Sequence, residues 1–106
     1  MTYEEMLTKG RALLDKHGLY EWRFDVQNLR NGFIRDMYPE GFWGWCDQQK
    51  REIVVDWRVG RSFRQVVLHE IAHALVGTEG HGEEWITMAR KVGCTLNRLI
   101  DYYCAL

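Results

Sequence analysis

The chain has 106 residues, of which 46% are apolar and 27% charged, with a formal net charge of −1. That length carries one hydrophobic core, so residues 1–106 are expected to form one domain, and the composition excludes intrinsic disorder. The charge balance gives no global case for binding nucleic acid or an anionic membrane. No apolar run approaches the ~18 residues of a membrane span, so no membrane partner is expected.

The N-terminus, Met1 to Glu5, is acidic and lacks the basic-then-apolar pattern of a signal peptide. Cys46, Cys94 and Cys104 form no C-x-x-C pair, and their odd number suits free thiols in a reducing compartment, the cytoplasm. Thr2 to His17 reads as a helix opened by a Thr2/Glu5 capping box and closed by Gly18. Tyr3, Leu7, Gly10 and Leu14 form its packing stripe, with Met6 and Leu13 beside it. His17, at the helix end where a cation favours the dipole, reads as a capping residue, not as a ligand.

Tyr20 to Val26 alternates, with Trp22, Phe24 and Val26 on one face, as a half-buried strand does. A short strand is expected round Phe33 and Ile34, after the Asn31-Gly32 turn signal and before Pro39. Phe42 to Cys46 and Arg51 to Trp57 read as a hairpin turning at Asp47 to Lys50, with Ile53, Val55 and Trp57 on a common face. Arg58, Arg61 and Arg64 fall close together and read as a solvated face.

Ser62 with Gln65 reads as the capping box of the next helix, and Gly77 as its end. Inside it lies His69-Glu70-Ile71-Ala72-His73, an H-E-x-x-H pattern. Positions four apart share a helix face, so His69 and His73 can aim at one metal ion, and zinc takes neutral imidazole nitrogen well. Glu70, about 100° further round, is placed to act as a general base without being a ligand. Val67, Leu68, Ile71, Ala74 and Leu75 gather on the opposite side, which is expected to face the core and leave the histidines at a cleft.

Glycines 77, 80 and 82 permit sharp turns after this helix. A catalytic zinc keeps three protein ligands and one open position. The candidates for the third are His81, Glu79, Glu83 and Glu84; His81, in its glycine-flanked turn, is the best placed, and Glu79 is its main rival. Trp85, Met88, Ala89 and Val92 then mark the core face of a helix that Gly93 stops, and Thr95 to Tyr103 reads as a shorter helix. Helices and strands in this order give an α+β class.

At His69-Glu70-Ile71-Ala72-His73-Ala74 and Gly80-His81-Gly82-Glu83-Glu84-Trp85 the chain resembles the SprT-like metalloprotease family, which includes Spartan-type proteases. The resemblance is close over residues 66–94 and looser over most of the remainder, where short bacterial and phage members look similar. It implies a small zincin-like domain: an N-terminal helix, a small antiparallel or mixed sheet packed on the H-E-x-x-H helix, and C-terminal helices. It implies one catalytic zinc held by His69, His73 and His81, with Glu70 as the catalytic glutamate. It also implies hydrolysis of peptide bonds in a protein or peptide substrate, and in the best-studied relatives the cleavage of proteins bound or crosslinked to DNA. The longer relatives carry a C-terminal zinc ribbon or DNA-binding region, for which this sequence offers no cysteine pair. DNA is therefore expected only indirectly or through a partner.

Two other readings belong to different classes. In one, the zinc staples a non-catalytic binding or scaffold protein, with Glu79, Glu83 or Cys94 closing the site. In the other, a zinc hydrolase acts on a non-peptide amide. Oxyanion donors among Tyr38, Arg61, Tyr102 and Tyr103, and a histidine-orienting carboxylate at Asp56 or Asp101, are compatible with the sequence, whose spacing selects none of them.

Overall fold

The computed structural model of the protein describes residues 1–28, 43–77 and 80–95. Its described elements are α1 (Tyr3–Lys16), β1 (Arg23–Gln27), β2 (Gly44–Asp47), β3 (Glu52–Asp56), a 3-10 turn (Gly60–Ser62), α2 (Phe63–Val76) and α3 (Glu83–Val92). They form an α+β arrangement of three helices and one three-stranded mixed sheet. The strand expected round Phe33 and Ile34 and the helix expected over 95–103 lie outside the described residues, apart from Thr95.

α1 forms much as the sequence predicts. The Thr2 side chain accepts a hydrogen bond from the Glu5 amide at 3.1 Å, satisfying one of the amides left over at a helix start. The Glu5 carboxylate accepts from the Thr2 hydroxyl at 3.2 Å, so the reciprocal half of the box uses the side chain. At the other end, the Leu19 amide reaches back to the Leu14 carbonyl at 2.9 Å across Gly18, whose φ is +80°. Arg11 then ties the exit to the body of the helix. It donates to the carbonyls of Leu19 (2.7 Å) and Trp22 and pairs with Asp15.

The strand order is β1-β3-β2. β2 and β3 form the expected antiparallel hairpin, from Gly44↔Val55 to Asp47↔Glu52. β1 pairs with β3 in parallel, from Arg23↔Glu52 to Gln27↔Asp56, so the sheet is mixed. As the central strand, β3 buries Ile53, Val54, Val55 and Asp56 in succession. Trp57, expected to share a face with Ile53 and Val55, lies beyond the strand end and is 56% exposed. Its ring lies under the Arg58 guanidinium, at 5.6 Å.

α2 packs against α1, β2, β3 and α3, and is the hub of the described structure. Two expectations for it fail. Ser62 makes no capping hydrogen bond, because the 3-10 turn runs straight into the helix and holds Ser62 at φ −84°, ψ 0° rather than in the extended geometry a cap needs. The Gln65 side chain instead accepts from the Thr95 amide, fastening the end of α3 to the start of α2. Nor does the helix keep a polar face at an open cleft. Val66 through His73 are all buried, whereas Leu75, assigned to the core side, is exposed. Elements packed round the helix on several sides remove the amphipathic stripe that a surface helix would show.

No described helix is long and apolar enough to cross a membrane.

Candidate metal centre

Helix spacing puts His69 and His73 one turn apart on α2, and the loop before α3 returns His81 to them. The Nε2 atoms of His73 and His81 are 3.1 Å apart, as are those of His81 and His69. Among the described residues these three form the one group of histidine, cysteine and acidic side chains arranged to hold a metal ion, each offering an atom within 4.8 Å of the others. Three nitrogens bound tetrahedrally at 2.0–2.1 Å would lie about 3.3 Å from one another. The spacing and the donor set therefore fit a divalent ion such as zinc.

His69 and His73 are wholly buried and His81 is half-buried. Burial, reinforced by the neighbouring His73 and His81, pushes the His69 pKa down to about 3. The neutral imidazole is thus the favoured form, and it is the form that binds metal.

The cluster is backed by Trp85, the first core residue of α3. Its ring centroid lies 4.7 Å from His69, 5.3 Å from His73 and 4.6 Å from His81. Its indole N–H also donates to the His69 carbonyl at 3.4 Å. Sequence periodicity marked Trp85 as core; that it packs on all three imidazoles follows only from the loop path. Gln48, read simply as a turn residue, donates to the His73 carbonyl at 2.7 Å and ties the hairpin turn to α2.

Glu70 is fully buried against β2. A methyl group built on Gly44 would lie 2.6 Å from Glu70 Oε2 and 2.9 Å from Val66 Cγ1. The glycine allows strand and helix to approach this closely, which no single-chain pattern announces.

Other candidates fall elsewhere. His17 is the C-cap of α1, as expected, its backbone N–H bonded to the carbonyls of Leu13 and Leu14; burial, followed by the charges of Lys16 and Arg64, lowers its pKa. Glu83 and Glu84 are exposed at the start of α3, and Cys94 is buried with its thiol donating to the Gln65 carbonyl. None of these three joins the histidine group. The Asp56 carboxylate is held by Arg58, including a 2.8 Å bond from Nε. Glu79, Tyr38, Asp101, Tyr102 and Tyr103 lie outside the described residues.

The site and fold define a small α+β protein with a histidine cluster suited to metal. The SprT-like family model matches residues 42–104, more than half of the chain and all of the site. The chain belongs to the SprT-like family. No curated protein and no solved structure matches it.

Proposed function

We propose that this chain is a zincin-like, zinc-dependent metallopeptidase that cleaves peptide bonds in protein or peptide substrates, with His69, His73 and His81 holding the metal. The convergence of the three Nε2 atoms on the H-E-x-x-H helix is the observation that carries this reading. When bound, zinc would polarise the scissile carbonyl and acidify a water molecule. The chain's own residues do the rest. Burial holds His69 neutral, Trp85 packs against the three imidazoles, and Gln48 anchors the His73 turn of the helix. Glu70 takes the proton of the attacking water on a carboxylate oxygen and returns it to the leaving amine.

A buried base next to a metal ligand supports hydrolysis over a structural zinc, which has no use for a base. The family supports protein substrates, DNA-associated ones included, with DNA reached through a partner.

The test pairs metal analysis with cleavage of an unfolded protein. The wild type should bind about one zinc per chain and cut the substrate. Glu70→Gln should keep the zinc and lose cleavage, while His81→Ala should lose zinc. A Glu70→Gln variant as active as wild type would remove Glu70 from the mechanism. A zinc-loaded wild type inert towards proteins would favour the structural staple.

A further inference from the structure

Away from the histidines, a groove of about 510 Å³ runs between α1 and the start of α2. It is lined by Lys9, Lys16, Arg61 and Arg64, with Leu13 and Phe63 among its apolar residues. Among the described residues no acidic one lines it. The pattern has a simple origin: Lys9, Leu13 and Lys16 share one face of α1, and Arg61 and Arg64 are three apart at the α2 entrance. The sequence grouped Arg58 with Arg61 and Arg64, but the structure divides them. Arg58 is neutralised by Asp56, whereas Arg61 and Arg64 join the two lysines of α1.

Among the described residues none of these four cations is in an ion pair. Their field reaches His17, whose pKa is lowered first by burial and then by Lys16 and Arg64. Four like charges gathered on one groove of a chain whose net charge is −1 repel one another, and an anionic partner would relieve that repulsion.

The geometry points to this groove as a docking site for an acidic peptide segment that carries an apolar side chain. The acidic groups face the cationic rim, and the apolar side chain enters the floor. Leu13 and Phe63 are recessed, at 8% and 3% exposure. A recessed floor receives a side chain that projects from the partner, whereas a membrane surface is entered by apolar side chains that project from the protein. Single-stranded nucleic acid would want an exposed ring to stack on. The Phe63 ring is instead buried edge-on against Phe24, with centroids 6.2 Å apart. This binding is independent of the metal chemistry.

The experiment measures fluorescence anisotropy of a short labelled peptide with leucines flanked by aspartates and glutamates. The full chain carrying Glu70→Gln is used, so that binding is read apart from cleavage. The peptide should bind, and its affinity should fall with rising salt, with serine in place of leucine, and by about tenfold or more in Lys16→Glu/Arg64→Glu. No binding, or binding indifferent to salt and to the leucines, would overturn the proposal. So would unchanged affinity in a charge-reversed variant whose circular dichroism matches the parent. Tighter binding of oligothymidylate or of phosphatidylserine vesicles would overturn it in favour of those ligands. If the double variant fails to fold, Lys9→Glu and the salt and serine comparisons still decide the matter.

Discussion

Replacing Gly44 by alanine tests the proposed base, Glu70, separately from the histidine cluster. The added methyl would sit 2.6 Å from Glu70 Oε2, 2.9 Å from Val66 Cγ1 and 3.1 Å from Glu70 Cγ. Ordinary contact begins near 3.4 Å, so β2 and α2 must part, or Glu70 must turn, by about 0.8 Å. Val66 cannot give way readily: it is fully buried and β-branched, with one favoured helical rotamer. Overpacking of this kind costs about 1–3 kcal/mol, which for a domain near this size lowers Tm by roughly 5–15 °C. A displacement approaching 1 Å at a reacting group costs on the order of 100-fold in rate. Gly44→Ala should therefore fold with a lowered Tm, keep its zinc, and lose about two orders of magnitude in kcat/KM on an unfolded protein substrate. Calorimetry, metal analysis and steady-state cleavage read the three quantities. Unchanged Tm and kcat/KM would refute the close packing of Glu70 on β2. Zinc lost together with activity would show that Gly44 supports the whole site rather than the base.

Three further outcomes are expected. Gly10→Ala improves helix propensity by about 1 kcal/mol, but its methyl would lie 2.0–2.5 Å from the Phe24 ring. A net fall in Tm is expected, and a rise would contradict the α1–β1 packing. Trp85→Leu removes the ring shared by the three imidazoles and should weaken zinc binding by about 10–100-fold in a chelator competition, by analogy with other groups that orient metal ligands; equal affinity would make Trp85 a core residue only. The third concerns acid. His69 is held at about 3 against an ordinary 6.5, so between those values the unfolded chain binds a proton that the folded chain refuses. Stability present at neutral pH is lost as pH falls below 6.5, at about 1.4 kcal/mol per unit, or about 2 kcal/mol by pH ~5. Denaturant melts of the metal-free protein should show this slope, and a flat profile over that interval would remove the buried neutral His69.

Much of the histidine site was legible because it depends on short-range geometry. One helical turn brings His69 and His73 together whatever the rest of the chain does, and a glycine on each side of His81 lets the loop return. Helix limits were readable for the same local reason: Thr2 and Gly18 bound α1, and Gly77 and Gly93 end α2 and α3. The parallel pairing of β1 with β3 was not, since alternation records which face is buried and not which neighbour a strand will have. The burial of the H-E-x-x-H face was missed because it comes from β2 and α3, which reach it from either side of α2 in sequence.

The sequence alone thus determined two of the three histidines, since spacing along one helix puts His69 and His73 on a common face, and left His81 as the best placed of four candidates for the third position. Only the tertiary structure decided that His69 and His73 are buried and packed with His81 against Trp85, that Glu70 is set against Gly44, and that Arg61 and Arg64 face the lysines of α1. Burial and close approach arise where distant segments exclude water from one another, and no local pattern encodes that meeting.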